Sequence, residues 1–163
     1  ILFDEVEKGH HRLHHLLLER LQNRDRRRSF VTATLAAIDP ETGAMELVNA
    51  GHTPTYLLRR GEVEEIQLPG SPLGTLRPSY PRRELRIEEG DVWVWLSDGI
   101  IEATNREGRV FGYDRIVEVI RSCADGPERV GPEMVKRTIL AALGEHLGEA
   151  AVDDDLTLVV MGR

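Results

Sequence analysis

The stretch that most restricts the fold is Val92-Trp93-Val94-Trp95-Leu96, preceded by Asp91 and followed by Ser97-Asp98-Gly99. Read with a period of two, Val92, Val94 and Leu96 share one face of a strand and Trp93 and Trp95 the other, so both faces are apolar. Such a strand must sit between packed layers. Its exit places a carboxylate, Asp98, followed by Gly99, whose missing Cβ lets the backbone turn and approach a ligand closely. Near the C-terminus Leu156-Thr157-Leu158-Val159-Val160-Met161 has the same apolar character and is predicted to be buried on both faces, directly after Asp153-Asp154-Asp155. Two strands that each carry acid at one end concentrate like charge, and a hard divalent cation that prefers oxygen ligands is the usual physical reason to tolerate it. The competing reading is a pair of polar strand-end turns, where aspartate is favoured irrespective of function.

Composition bounds the rest. The 163 residues, 40% hydrophobic and 30% charged, suit one globular domain spanning 1–163. A formal net charge of −7, with basic residues scattered apart from Arg24 and Arg26 to Arg28, argues against general nucleic-acid binding. The single cysteine, Cys123, excludes an internal disulfide and a cysteine-rich zinc site; it reads as core filler and fits a reducing cytoplasm. No run of about eighteen apolar residues is present, so no segment is predicted to span a membrane. Because the first residue is Ile1 rather than Met, the chain is expected to be a piece of a longer protein.

In chain order, Phe3 to Leu21 repeats apolar residues at helical spacing and predicts an amphipathic helix. His10, His11, His14 and His15 form i,i+4 pairs there that could ligate a transition metal, but they lie beside arginines, and a solvated face accounts for them better. Gln22 to Ser29 reads as an arginine-rich connection. Strands are predicted at Phe30–Ile38 and Met45–Asn49 around an Asp39-Pro40-Glu41-Thr42-Gly43 turn. Two more follow at Thr55–Arg60 and Val63–Leu68, and the four are expected to form a meander. After a Pro/Gly-rich loop at 69–74, a strand at Arg83–Ile87 leads into the central strand. Helices are predicted at Tyr113–Ser122, with Ile116, Val117 and Ile120 on its buried face, and at Pro132–Leu147, with Met134, Val135, Ile139, Leu140, Leu143 and Leu147 buried and Gly148 as its cap. The class is α+β, with two mainly antiparallel sheets face to face and helices outside.

Several motifs now fall in a known order: Phe30-Val31-Thr32, Asn49-Ala50-Gly51-His52-Thr53-Pro54, Ser71-Pro72-Leu73-Gly74, Ser97-Asp98-Gly99-Ile100-Ile101-Glu102-Ala103, Phe111-Gly112 and Asp154-Asp155-Leu156-Thr157, together with the Asp39 turn. From Phe30 to Met161 the chain resembles the bacterial SpoIIE/RsbU-type PP2C-like protein phosphatases. The resemblance implies a PP2C-like sandwich of two mainly antiparallel sheets flanked by helices. It also implies hydrolysis of phosphoserine or phosphothreonine by a metal-activated water, with two Mn²⁺ or Mg²⁺ ions and no protein nucleophile. Asp98 and Asp154 match the family's metal ligands, Asp155 ranks next and Asp153 third, and Gly99 would let the backbone pass close to the metal. Asn49, Gly51 and His52 match a characteristic loop, read as structural first and catalytic second. The implied partner is a phosphorylated anti-sigma-factor antagonist of the STAS type. The family's first Gly-Asp metal motifs have no counterpart before Phe3, so the domain is expected to be N-terminally incomplete, lacking its first strands and helix. Exposed sheet edges would then favour pairing with a second copy. The alternative is a non-catalytic PP2C-like interaction module in a bacterial signalling pathway.

Overall fold

The computed structural model describes residues 30–73, 75, 79–125 and 130–163. The predicted helix at Phe3–Leu21, its histidines and the arginine run lie outside the described residues. The chain divides into two compact units, one of residues up to His52 with Leu68–Ile87, the other of Thr53–Gln67 with Glu88–Arg163.

In the first unit, β1 (Ala33–Ile38), β2 (Ala44–Ala50) and β5 (Arg82–Arg86) form an antiparallel sheet in the order β1-β2-β5. The turn joining β1 to β2 is built by Asp39, whose Oδ1 accepts the Glu41 and Thr42 amides at 2.9 and 3.2 Å. Gly43, at φ 74°, closes it by donating to the Asp39 carbonyl at 2.8 Å. Regular pairing begins at Ala33 rather than at the expected Phe30, because β2 ends at Ala50, the partner of Ala33. Val31 instead exchanges two backbone bonds of 3.0 and 2.8 Å with Leu73.

In the second unit, β3 (Thr55–Arg59), β4 (Glu62–Ile66), β6 (Val92–Leu96) and β7 (Leu158–Gly162) form an antiparallel sheet in the order β4-β3-β6-β7. The anticipated four-strand meander is therefore incorrect. The segment from Asn49 to Pro54 is no tight turn, and it carries the chain out of one sheet and into another. The central strand is as expected: Val92, Trp93, Val94 and Leu96 are buried, and Trp93 stacks on Trp95 with ring centroids 6.2 Å apart.

Two helices pack on the opposite face from the tryptophans. Tyr56, Leu58, Val92, Val94 and Leu96 share a core with Ile116 and Ile120 of α2 (Tyr113–Ser122) and with Val135, Ile139 and Leu143 of α3 (Pro132–Leu147). Each of the aliphatic side chains in this core contributes about 1.5–3 kcal/mol of burial free energy. Cys123, in the short 3₁₀ turn after α2, is buried in the same core. Pro132 starts α3 where its missing N–H is harmless, and Gly148, at φ 55°, ends it by donating to the Gly144 carbonyl at 2.9 Å.

Two burial expectations fail. β7 is not covered on both faces: Leu158 and Val160 pack on the core, but Val159 is 52% exposed. The strand stands last in its sheet, where a side chain on the second face has neighbours on one flank only. Leu140 of α3 is also exposed, since the stripe turned to the core runs through Val135, Ile139, Leu143 and His146.

Candidate metal centre

The acidic segments at the exit of β6 and the entry to β7 are joined through one hydroxyl. The Thr53 hydroxyl donates to the Leu96 carbonyl and fixes the exit of β6. Ser97 then bonds the approach to β7 three times: its N–H donates to the Thr157 carbonyl at 3.0 Å, its Oγ accepts the Thr157 amide at 3.0 Å, and its Oγ–H donates to the Asp155 carbonyl at 3.1 Å. The short helix α1 (Asp98–Ile101) starts at the next residue. An oxygen of the Asp98 carboxylate accepts the Gly99 amide at 3.0 Å, and Asp154 does the same for the Asp155 amide at 2.8 Å, so each acid is braced by the backbone that follows it.

Gly99 is required by this arrangement. A Cβ at its position would lie 2.5 Å from the Asp155 carbonyl oxygen and 3.5 Å from the Asp154 Cβ. The close backbone approach expected at Gly99 is thus an approach to the other acidic segment. A small cavity of about 40 Å³ lies alongside, lined by Gly99, Glu102, Thr104, Leu147, Asp153 and Asp154 among others, which is room for about one water-sized occupant.

Asp98, Asp153, Asp154 and Asp155 are all solvent-exposed. Their oxygens are the donor type that a hard divalent cation takes, so the set fits such an ion in kind. It does not complete a site: among the described residues no group of three or more histidine, cysteine, aspartate or glutamate side chains is placed to hold a metal ion.

The Asn49-Gly51-His52 loop has a structural arrangement within the first unit. The buried Asn49 side chain brackets His52, accepting its amide at 2.7 Å and donating to its carbonyl at 3.0 Å. The His52 Nδ1 lies 3.1 Å from the Thr32 hydroxyl. Gly51, at φ 70°, leaves no room for a Cβ, which would sit 2.7 Å from the Pro72 ring.

Among the buried polar groups that the sequence did not reveal are Asp91 and His146. Asp91, 1% exposed, takes a two-pronged bond from Arg59 at 2.8 and 2.7 Å and the Glu88 amide at 2.7 Å. Burial alone would raise this carboxyl, but the Arg59 guanidinium and the Glu88 amide hold it below the usual carboxylate range. His146 is buried in the last turn of α3. Its spacing of 4, 4 and 3 along Val135, Ile139, Leu143 and His146 was the available signal.

The sequence matches the family model described as Stage II sporulation protein E (SpoIIE) over residues 5–163. The chain belongs to the SpoIIE family. Protein IcfG of Synechocystis is 23% identical over 136 residues, 82% of this SpoIIE-family chain and 21% of IcfG. Stage II sporulation protein E of Bacillus subtilis is 22% identical over 134 residues, 81% of this chain and 15% of that protein. The chain thus spans a minor part of the length of the curated relatives it matches. Among solved structures, the manganese-presoaked phosphatase domain of Bacillus subtilis SpoIIE aligns with a TM-score of 0.62 and 19% identity over 91% of this chain and 63% of that one. The RsbU and RsbW domains of a Mycobacterium tuberculosis protein align with a TM-score of 0.67 and 22% identity over 89% and 39%. These likenesses establish a PP2C-like fold. Among the described residues no helix is long and apolar enough to cross a membrane.

Proposed function

We propose that this SpoIIE-family chain supplies the strand-end acids of a metal-dependent protein serine/threonine phosphatase. The observation that supports the reading is the Ser97 hydroxyl, which bonds the backbone of the Asp155–Thr157 segment to the residue just before Asp98 and so joins two acidic segments distant in the chain. Asp98 and Asp154 would hold Mn²⁺ or Mg²⁺, with Asp155 and then Asp153 as neighbours and Gly99 permitting the contact between the segments. When bound, a pair of such ions supplies a water of lowered pKa and neutralises charge on the phosphoryl oxygens. The chain's own contribution is to place the oxygens before the metal arrives, through the Ser97 bridge and the backbone braces on Asp98 and Asp154.

The substrate we propose is a phosphoserine or phosphothreonine on a regulatory protein, an anti-sigma-factor antagonist of the STAS type. Support comes from the family membership and from the RsbU and RsbW domains described together in the Mycobacterium tuberculosis structure. The buried, unpaired Cys123 suits work in the cytoplasm. β7 ends its sheet among the described strands and presents Val159, which favours pairing with a second copy. Light scattering that shows a monomer at all concentrations would refute the dimer.

The test of activity is Mn²⁺-dependent phosphate release from a phosphoserine protein, run on the wild type and on Asp98→Asn side by side. Release that is lost in the variant supports the reading, and equal release from both overturns the assignment of Asp98. A second reading, a non-catalytic interaction module on the PP2C-like scaffold, is favoured by the absence of a three-donor group among the described residues. Stoichiometric binding of the antagonist protein without phosphate release by the wild type would select it.

A further inference from the structure

The buried histidine of α3 occupies a position that links both helices to the segment carrying Asp98. Its Nε2 lies 3.2 Å from the Ala103 carbonyl and 3.0 Å from the Arg109 carbonyl, and its Nδ1 lies 3.1 Å from an Arg115 Nη. Carbonyl oxygens only accept and a guanidinium only donates, so the partners assign the proton to Nε2 and a lone pair to Nδ1. The ring is therefore neutral in this arrangement. Phe111 meets it edge to face at 5.4 Å, and the Arg115 guanidinium lies over the Phe111 ring at 5.2 Å.

The two carbonyls that His146 bridges stand at the base of one loop. Phe111 donates to the same Ala103 carbonyl at 2.9 Å, Gly112 donates to the Ile101 carbonyl at 2.9 Å, and Thr104 bridges to Val110. Ile101 is the last residue of α1, and Asp98 is the first. A brace on Ala103 and Arg109 therefore holds the far end of the segment whose near end is bonded by Ser97.

Protonation would change every part of this. The imidazolium would turn an N–H instead of a lone pair toward Arg115 and add a like charge beside it. Arg115 of α2 is the charged group against the ring. Arg109 turns its own guanidinium to Glu107, Arg106 pairs with Glu149, and Glu145 on the same helix is exposed. Among the described residues no carboxylate pairs with His146 or Arg115 to offset the added charge.

We infer that His146 is a positioning residue: in its neutral form it locks the base of the 103–112 loop and with it the Asp98 segment, and acid releases the lock. The link to metal binding rests on the proposed role of Asp98, whereas the lock itself does not. The experiment is backbone amide exchange at Phe111 and Gly112 on the whole chain, expressed as protection factors across about pH 5–8, where imidazoles titrate. Wild type, His146→Gln and His146→Leu are compared, with Mn²⁺ titrated calorimetrically at each pH. Glutamine offers a donor and an acceptor without a titrating group. The wild type is expected to lose protection about tenfold on acidification, as the loss of a hydrogen bond or two implies. His146→Gln should show protection independent of pH, and His146→Leu low protection throughout. Wild-type protection that does not change with pH, or a pH dependence retained in His146→Gln, overturns the lock. If the lock holds and Asp98 is a ligand, wild-type Mn²⁺ affinity falls in step with protection. Failure of the wild type to bind Mn²⁺ at any pH would overturn the metal reading alone, leaving the exchange data to decide the lock.

Discussion

Replacing Gly99 by alanine tests the candidate centre without touching a carboxylate. The added Cβ would stand 2.5 Å from the Asp155 carbonyl oxygen. Close carbon-to-carbonyl contacts in proteins lie near 3.3 Å, so the two segments must part by about 0.8 Å. The obstacle is backbone on both sides, with Ser97 bonded to Asp155 and Thr157 within two residues, so no flexible side chain can swing away. Overpacking of this kind costs about 1–3 kcal/mol. For a chain of this size each kcal/mol lowers the melting temperature by about 2–4 °C, so a drop of about 2–12 °C is expected. The larger effect should be on the proposed function, because a displacement approaching 1 Å at a reacting centre can reduce rate by about a hundredfold. Calorimetric Mn²⁺ titration and a thermal melt on Gly99→Ala decide the matter. The reasoning is refuted if the variant binds Mn²⁺ and melts as the wild type does, for then the two backbones are not in contact. A variant that melts lower but binds Mn²⁺ unchanged would refute the role of this contact in the metal site while upholding the packing.

Three further outcomes are expected. Asp98→Asn should abolish Mn²⁺ binding with a melting temperature close to wild type, since the side chain is exposed and its bond to the Gly99 amide can be made equally by an amide oxygen; calorimetry beside circular dichroism checks both halves. Asp91→Ala should destabilise by about 2–3 kcal/mol, below the usual figure for a broken buried pair because Arg59 is 31% exposed and can rehydrate. Because the folded Asp91 carboxyl is held low, its contribution is complete above the unfolded value of about 3.9 and is lost as pH falls through the folded one; urea midpoints at neutral and acid pH should therefore show a steeper acid loss in wild type than in the variant. Asn49→Ala should cost about 2–3 kcal/mol in chemical denaturation, because it strips both partners from the His52 backbone and removes a side chain that is 97% covered.

How much of this was legible in advance follows the range of the interaction involved. Helix α2 and helix α3 are bounded as periodicity, proline and glycine predict, because caps and apolar stripes act over a few residues. The double-sided apolar pattern of β6 likewise specified burial, since alternating Val and Trp leave no face for water. β7 has much the same pattern and is half exposed, because alternation says which side chains share a face but not whether a strand stands inside a sheet or at its end. The break between β2 and β3 was hidden for a related reason. Asn49 to Pro54 reads as a loop in either case, and only the pairing of β3 with β6, about forty residues away along the chain, shows that it changes sheet.

Asp91 and His146 make the same point for polar groups. An aspartate after a glycine reads as a turn residue, and a histidine in a last helical turn reads as a favourable cap charge. What makes each of them structural is a partner remote in sequence: Arg59 lies 32 residues from Asp91, and Arg115 lies 31 from His146. His146 is held by contacts that exist only when α2, α3 and the 103–112 loop are assembled. That dependence on assembly is what would couple its protonation to the placement of Asp98.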